Sequence, residues 1–496
     1  MGDEEASTSS PAESQTQPKE FAAAEHGLES VKRKLCRLVA SSLSATVPSL
    51  DVEPMLEVSK PGFGDYQCNN AMSLFSSLQD RAILNNLPSS DIVQSTSVAW
   101  PGHVNIVISS DWIAKRIQDM LMYSIKTWAP TIPGNRVIVD FSSPNIAKEM
   151  HVGLIRSTII GDTLARMLEF ANVEVLRRNH SFYKASKIKF DDKESGFKAK
   201  AQQAVVRLQE LTNKGLIIEN EGAQVIPLEG QKSALVVVKS NGGFNYASTD
   251  LAALWYRLNV ERAEWIVYVT DVGQKEHFHK FFSAASMAGW LPDQNEKKYP
   301  KTSHVGFGLV LGLDGKRFQT RCSEVVRLVD LLDEAKSWCK ELTERLTKNG
   351  KIAGWTDDEL DTTSEAIGLG AVKYADLKNN RLTDYTFSYE KMLSDKNAAI
   401  TFVHADERAL GLHLIRFQEV VEQACTDLFP HYLCDYLYCL SEAFSKFYAS
   451  CQFPVVSILQ VVGSPEETSR LLLCHATAVV MQQCFNLLGI TPVYKL

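Results

Sequence analysis

His151 and Lys148 lie between a strand pattern and a helix pattern, and both residue types can contact phosphate. The apolar run from Val137 to Val139 is typical of a buried parallel strand, and the polar residues 142–145 interrupt it. Gly153 would let the backbone approach a ligand where the next helix begins, and that helix start would direct unpaired N–H groups toward an anion. His151 could donate a hydrogen bond to a phosphate oxygen, and Lys148 would add positive charge. The pattern predicts a phosphate-binding strand-turn-helix unit.

A histidine and a glycine at a helix start are weak signals alone, since turns and caps use both residue types. The longer stretch SSPNIAKEMHVG, from Ser142 to Gly153, resembles the signature of class I aminoacyl-tRNA synthetases, and in this extended form it resembles that of arginyl-tRNA synthetases. The family pattern ends in HVGH, whereas Leu154 holds the fourth place here. Leucine donates no hydrogen bond to phosphate, and loss of one such donor typically lowers the rate about a hundred- to a thousandfold.

The resemblance implies an arginine–tRNA ligase that forms arginyl-adenylate from L-arginine and ATP and then transfers the arginyl group to tRNA(Arg). Mg²⁺ is expected with ATP, and no metal bound by the protein itself is expected. A second hypothesis is a catalytically impaired relative that binds tRNA or joins a multi-synthetase complex, which Leu154 favours. A third is another nucleotidyl transferase of the same superfamily.

The ATP side of the site follows from the same resemblance. The stretch GKRFQTR, from Gly315 to Arg321, resembles the flexible cationic loop of class I enzymes, although alone it would be interpreted as a solvated basic turn. The implied catalytic residues are Lys148, His151, Lys316, Arg317 and Arg321. The implied ATP-binding residues are His151, Gly153, His304, Gly306 and Gly308.

The substrate side must hold a guanidinium, which is planar and charged and is bound best by a carboxylate. Tyr246 and Asp250 are four residues apart near a predicted helix start, so both side chains should project into one cleft. An aspartate at a helix start is more often a cap. The resemblance assigns to arginine binding Ser143, Pro144, Asn145, Tyr246, Asp250 and Gln274.

Composition limits the class of protein. The chain has 496 residues, of which 45% are hydrophobic and 22% charged, as expected for a multidomain globular protein. Its formal charge of -7 neither supports nor excludes tRNA, so tRNA contacts would come from local basic patches. Ten scattered cysteines without a CxxC pair indicate free thiols in a reducing compartment. An acidic start and the lack of a long apolar run predict a cytoplasmic protein without a membrane partner.

The pattern along the chain predicts an α/β fold. We expect a Rossmann-like doubly wound catalytic domain, a small N-terminal α/β domain that contacts tRNA, and a C-terminal all-α anticodon-binding bundle. The expected ranges are a disordered tail at 1–25, the N-terminal domain at 26–128, the catalytic domain at 130–395 and the bundle at 396–496. The N-terminal domain begins with a basic helix, which is either a solvated face or an RNA contact.

Aromatic residues occur in the predicted bundle. Such residues usually form a core, but they could also stack unpaired bases. The set comprises Phe429, Tyr432, Tyr436 and Tyr438.

The resemblance is interrupted at His180, Gln209 and Ala398, where family segments are missing or shortened, and an apolar insert follows from Phe453 to Val461. Loss of core segments would uncover apolar faces, and stability margins of about 5 to 15 kcal/mol do not absorb this easily. We therefore consider a mis-spliced or decaying gene copy as a hypothesis.

Overall fold

The computed structural model describes most of the chain in separate ranges. These are residues 29–60, 62–70, 80–99, 102–142, 155–178, 197–228, 230–231, 233–292, 298–308, 328–348, 356–381, 402–451 and 465–493. Several sequence predictions lie outside them: the tail, the segment from Ser143 to Leu154, the loop from Gly315 to Arg321, the junctions at His180 and Ala398, and the insert at Phe453–Val461.

The N-terminal part combines one antiparallel sheet with helices. Its elements are α1 (Val31–Thr46), β1 (Leu56–Val58), β2 (Tyr66–Cys68), α2 (Asp80–Asn85), β3 (Val93–Ala99), β4 (His103–Ile108), α3 (Ser110–Tyr123) and a 3₁₀ turn (Ile125–Trp128). The strand order is β1-β2-β4-β3. Helix α1 buries Val31, Leu35, Val39 and Leu43, whose spacing of four places them on one face. The basic helix predicted at the start of the N-terminal domain is therefore present, with one apolar face buried.

The middle of the chain contains a parallel sheet and a smaller antiparallel sheet. Its elements are β5 (Arg136–Asp140), α4 (Ile155–Phe170), β6 (Glu174–Arg178), α5 (Phe197–Asn213), β7 (Ile218–Asn220), β8 (Ala223–Ile226), β9 (Leu235–Val238), α6 (Tyr246–Asn259), β10 (Trp265–Asp271), a 3₁₀ turn (Val272–Gln274), α7 (Lys275–Met287) and β11 (Lys301–Phe307). Strands β11-β10-β5-β6 are all parallel, and β7-β8-β9 are antiparallel.

Both faces of the parallel sheet are covered. Val137 and Val139 of β5 belong to a core that includes α4 and C-terminal helices, whereas Ile138 of the same strand belongs to a second core that includes α6 and α7. Burial on both faces explains the continuous apolar runs of these strands. The doubly wound architecture is confirmed. Strand β11 begins opposite the start of β10, since Lys301 pairs with Trp265.

The described residues from 328 onward form helices and the turns between them. The helices are α8 (Leu328–Lys348), α9 (Asp357–Leu377), α10 (Ala405–Ile415), α11 (Phe417–Asp427), α12 (His431–Ser450) and α13 (Pro465–Leu487). Tyr436 is buried and its ring stacks on His413, whereas Tyr438 is exposed. The predicted helical bundle is confirmed. Within the described ranges, every cysteine is a free thiol and no helix has the length and apolar character to cross a bilayer.

Gln209, at which a family segment is missing, lies inside the uninterrupted helix α5. Leu208 and Leu211 of this helix are buried, while Val205 and Val206 are 52% and 54% exposed. The helix thus continues through this junction and presents two apolar side chains to solvent beside it.

The N-terminal part packs against the helical bundle through buried polar contacts. Arg408 donates to both carboxylate oxygens of Asp65, at 3.1 and 2.6 Å. Arg116 donates to Gln418 at 3.0 Å, and both residues are buried. On the basic helix α1, Arg33 forms an ion pair with Glu422. At Arg33 the basic helix therefore contacts the helical bundle of the same protein.

Candidate active site at the carboxyl edge of the parallel sheet

The parallel sheet has one point at which its strand order reverses. From β5 the chain passes through α4 to β6 on one side, whereas β10 and β11 lie on the other side of β5. Open α/β sheets bind ligands outside the carboxyl ends of the strands at such a point. The ends of β5 and β10, at Asp140 and Asp271, therefore define the candidate site.

The carboxyl end of β5 is anchored to α4. The Ser142 N–H donates to Oγ of Ser157 at 3.0 Å, and that hydroxyl donates to the carbonyl of Val269 on β10 at 2.8 Å. A Cβ added to Gly161 would lie 2.2 Å from Phe141, so this close approach requires glycine. These hydrogen bonds and this packing fix the position of Ser142, after which the segment with the predicted phosphate-binding residues begins. The site predictions Ser143, Pro144, Asn145, Lys148, His151 and Gly153 lie outside the described residues.

Helix α6 begins where the Tyr246–Asp250 spacing predicts. Asn245 is its N-cap: the Asn245 side chain accepts from the Ser248 N–H at 3.2 Å, and Ser248 Oγ accepts from the Asn245 N–H at 2.9 Å. Asp250 is therefore not the cap, which was the alternative interpretation. Tyr246 is 75% exposed and lies on the same helix face as Asp250.

The segment after β10 faces Asp250. Gln274 ends a 3₁₀ turn, and its amide donates to Asp271 at 3.1 Å. Nε2 of His277 lies 2.7 Å from Oδ2 of Asp250. The sequence analysis missed His277, although its position three residues after Gln274 at a helix start could have indicated it. The structure thus brings the start of α7 to the predicted guanidinium-binding residue.

The predicted ATP-binding residue His304 lies on β11 beside this segment. Its ring stacks on Phe278 of α7, with centroids 4.4 Å apart and planes at 10°, and its Nε2 lies 2.8 Å from Oγ1 of Thr270. Burial, aided by the positive charge of Arg381, lowers the pKa of His304 to about 4. The imidazole is therefore neutral at pH 7 and offers a flat ring and a hydrogen bond rather than charge.

The end of β11 is held by two arginines that sequence patterns did not single out. Arg381 donates to the carbonyl of Gly306 at 2.7 Å, and its own carbonyl accepts from the Gly308 N–H at 2.7 Å. Arg156 donates to the carbonyl of Gly308 at 2.9 Å and pairs with Asp376 at 3.1 Å. The predicted loop residues Lys316, Arg317 and Arg321 lie outside the described residues, but the strand end that leads to them is fixed.

In the described part of the site, the Asp250–His277 pair and the neutral ring of His304 lie on neighbouring elements: both His277 and the Phe278 ring that stacks on His304 belong to α7. Asp250 presents a partly buried carboxylate, and the predicted ATP-binding residues His304, Gly306 and Gly308 follow one another along β11 and just past its end. Such an arrangement can orient two small substrates for transfer between them, without a nucleophile from the protein.

Three family models match the chain in order. The N-terminal domain of arginyl tRNA synthetase matches residues 33–108, and the catalytic domain of class I tRNA synthetases (R) matches residues 116–182 and 208–389. The DALR anticodon binding domain matches residues 383–496. The interruption in the catalytic match lies between His180 and Gln209, two of the positions at which the sequence departs from the family pattern.

Curated relatives align with nearly the whole chain. The chain is 51% identical to the chloroplastic/mitochondrial arginine–tRNA ligase of Arabidopsis thaliana, over 96% of this chain and 92% of the relative. It is 49% identical to the cytoplasmic enzyme of that plant, over 94% and 98%. The first alignment spans 603 positions, more than the 496 residues of the chain, so it includes positions at which only the relative has residues.

Solved structures show the same fold. Arginyl-tRNA synthetase from Plasmodium falciparum aligns with a TM-score of 0.75 at 24% identity, over 95% of this chain and all of that one. The Thermus thermophilus enzyme aligns with a TM-score of 0.75 at 18% identity, over 94% of this chain and all of that one. With the three domain matches and identities near 50% over almost its full length, the chain belongs to the arginyl-tRNA synthetase family of class I aminoacyl-tRNA synthetases.

Proposed function

We propose that this protein is an arginine–tRNA ligase. The observation that carries the proposal is the position of Asp250, on the first turns of α6, beside the carboxyl edge of the sheet. A carboxylate there, with Tyr246 on the same helix face and Gln274 opposite, suits a planar guanidinium. Relatives that are about 50% identical are named arginine–tRNA ligases, which supports the same activity here.

The reaction proceeds in two transfers. The carboxylate of arginine attacks the α-phosphorus of ATP, a P–O bond forms, and diphosphate leaves. A ribose hydroxyl at the tRNA 3′ end then attacks the carbonyl of arginyl-adenylate, and AMP leaves. The protein holds the reactants in line and stabilises the charge on the phosphate in the transition state.

Each predicted site residue has a role in this proposal. Asp250, Tyr246 and Gln274 hold the side chain of arginine. Its amino and carboxylate ends are held by Ser143 and Asn145, and Pro144 between them belongs to the same arginine-binding segment. The nucleotide is bound by His304, Gly306, Gly308, Gly153 and His151, and the phosphates are neutralised by Lys148, Lys316, Arg317 and Arg321. Because the imidazole of His304 is neutral, it adds no positive charge beside the phosphates. In this proposal that charge comes from the four lysine and arginine side chains just named.

We propose that Mg²⁺ arrives with ATP, because nucleotide phosphates bind this ion with few protein ligands. Within the described ranges, no group of three or more histidine, cysteine, aspartate or glutamate residues is arranged to hold a metal. The proposal assigns no protein ligand to the ion.

The flanking domains are proposed to bind tRNA. We assign tRNA contacts to the N-terminal domain, residues 26–128, and anticodon recognition to residues 396–496, which overlap the DALR match. Residues 130–395 form the proposed catalytic domain. A multi-synthetase complex is a further proposed partner, and co-purification of other synthetase activities would test it.

We propose a cytoplasmic location. Relatives with cytoplasmic names support it, and the chloroplastic/mitochondrial relative from Arabidopsis thaliana defines the alternative. Imaging of the full-length protein with a fluorescent C-terminal fusion would distinguish the cytosol from organelles.

The hypothesis of an inactive relative rests on Leu154 and the interrupted catalytic match. The comparisons do not support it, since the relatives carry the names of ligases. Arginine-dependent exchange between ATP and pyrophosphate, measured with tRNA(Arg) present, separates the two hypotheses. Robust exchange is expected, whereas tRNA binding without exchange would overturn the proposed activity.

Replacing the guanidinium partner tests the site itself. We expect Asp250→Ala to abolish arginine-dependent exchange and to leave tRNA affinity nearly unchanged, because in the proposed pocket Asp250 binds arginine and makes no contact with tRNA. Glu219→Ala, which removes an exposed carboxylate from β7, is the matched control and should behave as wild type. A parallel loss of tRNA affinity in Asp250→Ala would assign Asp250 a structural role.

A further inference from the structure

His277 contacts the carboxylate that the proposed function assigns to arginine. Its Nε2 lies 2.7 Å from Oδ2 of Asp250, within hydrogen-bond range, so the imidazole N–H donates to the carboxylate. The His277 side chain is 30% exposed and that of Asp250 is 20% exposed. The contact is therefore partly shielded from water but close enough to solvent for a substrate to reach it.

The imidazole of His277 is held by aromatic packing. Its ring lies 5.5 Å from that of Phe281 and 5.8 Å from that of Phe278, and both phenyl rings are buried. Phe278 in turn stacks on His304. The direction of the His277 N–H is therefore set by the core of the domain.

The Asp250 end of the hydrogen bond also lies on a fixed element. The capping box of Asn245 and Ser248 sets the start of α6, and Ser248 donates to the carbonyl of Val237 on β9 at 2.8 Å. The two partners, 27 residues apart in sequence, thus project from the first turns of two anchored helices.

When a guanidinium donates two parallel hydrogen bonds to a carboxylate, the two groups lie in the same plane. The terminal torsion angle of aspartate, however, has a broad distribution, so the side chain alone does not fix that plane. A hydrogen bond to one carboxylate oxygen restricts that torsion, and a carboxylate has about four lone-pair sites, so it can accept from other donors as well. We propose that His277 is a positioning residue of the arginine pocket: it orients the Asp250 carboxylate for the guanidinium. This inference rests on the proposed function of the site.

Two amide substitutions test the orientation without removing polarity. In His277→Gln the side-chain nitrogen can reach the place of Nε2, whereas in His277→Asn it falls short. We expect His277→Asn to raise the KM for arginine about tenfold, equivalent to about 1.4 kcal/mol, with kcat and the KM for ATP within about twofold. His277→Gln should restore the KM for arginine to within about threefold of wild type.

The matched control is His279→Asn on the same helix. Its side chain is exposed, and we expect wild-type values for all substrates. The inference is overturned if His277→Asn and His277→Gln both keep the wild-type KM for arginine. It is also overturned if both raise the KM for arginine and ATP equally and lower Tm, because that result indicates a structural role.

The proposed function and this inference fail in distinguishable ways. A wild-type protein without arginine-dependent exchange would overturn the function. Titration calorimetry of L-arginine would then decide the inference alone: weaker binding by His277→Asn than by His277→Gln supports it, and equal affinities or no binding by wild type overturn it.

Discussion

Helices α4 and α6 cover opposite faces of the same parallel sheet, but their polar residues serve different purposes. Helix α4 lies between the sheet and the helical bundle, and its Arg156 is fully buried against Asp376. Helix α6 begins at the edge of the domain with Tyr246 largely exposed, and its Asp250 meets His277 near solvent. If Asp250 binds substrate as proposed, the surroundings of a charged side chain, rather than its type, separate its role from the structural role of Arg156.

The largest effect is expected on the α4 face. Arg156→Met leaves the carboxylate of Asp376 buried without its ionic partner, and we expect a loss of about 3 to 5 kcal/mol in the free energy of unfolding, measured by urea denaturation. The double variant with Asp376→Leu removes both charges and should recover most of the loss. A loss below about 1 kcal/mol in the single variant would contradict the structural role of this pair.

A smaller effect is expected at His304, which lies on the α7 side of the sheet. Its pKa of about 4 in the folded protein is below the ordinary value of about 6.5, so the unfolded chain binds the proton more readily between these values. The stability that follows from this pKa difference is fully present above pH 6.5, and it is lost as the pH falls toward 4. Because the His304 side chain is partly exposed, we expect the free energy of unfolding to fall by about 1 kcal/mol between pH 6.5 and pH 4.

The control for His304 is His304→Asn, which does not titrate. Urea unfolding of both proteins between pH 6.5 and 4 should show a flatter pH dependence in the variant. Identical slopes would mean that the imidazole is as accessible to protons in the folded protein as in the unfolded chain.

The smallest effect on stability is expected at the start of α6. Tyr246→Ala removes a side chain that is 75% exposed, so the free energy of unfolding should change by less than about 0.5 kcal/mol. The KM for arginine should rise, because the proposed pocket loses its aromatic wall. A loss of more than about 1 kcal/mol would place Tyr246 with the structural residues and weaken the distinction between the two helices.

The local sequence pattern predicted these elements, because burial on both faces of a sheet leaves continuous apolar runs such as Val137 to Val139 of β5. It also predicted the helix start at Tyr246. It did not predict His277, Arg156 or Arg381, because their partners lie 27, 152 and 75 residues away and meet only through tertiary packing. The resemblance supplied the proposed ligand-binding residues, which stay a prediction, but not the contacts that would orient them.

The pairing of Arg408 with Asp65 joins residues 343 positions apart in the chain. During synthesis the residues near the N-terminus leave the ribosome first. Asp65 can pair with Arg408 only after the 343 positions that separate them have been translated. The backbone N–H of Ile108, which donates to Oδ2 of Asp65 at 2.7 Å, is translated much earlier than Arg408. The N-terminal part therefore cannot complete this contact until α10 of the helical bundle has been synthesised.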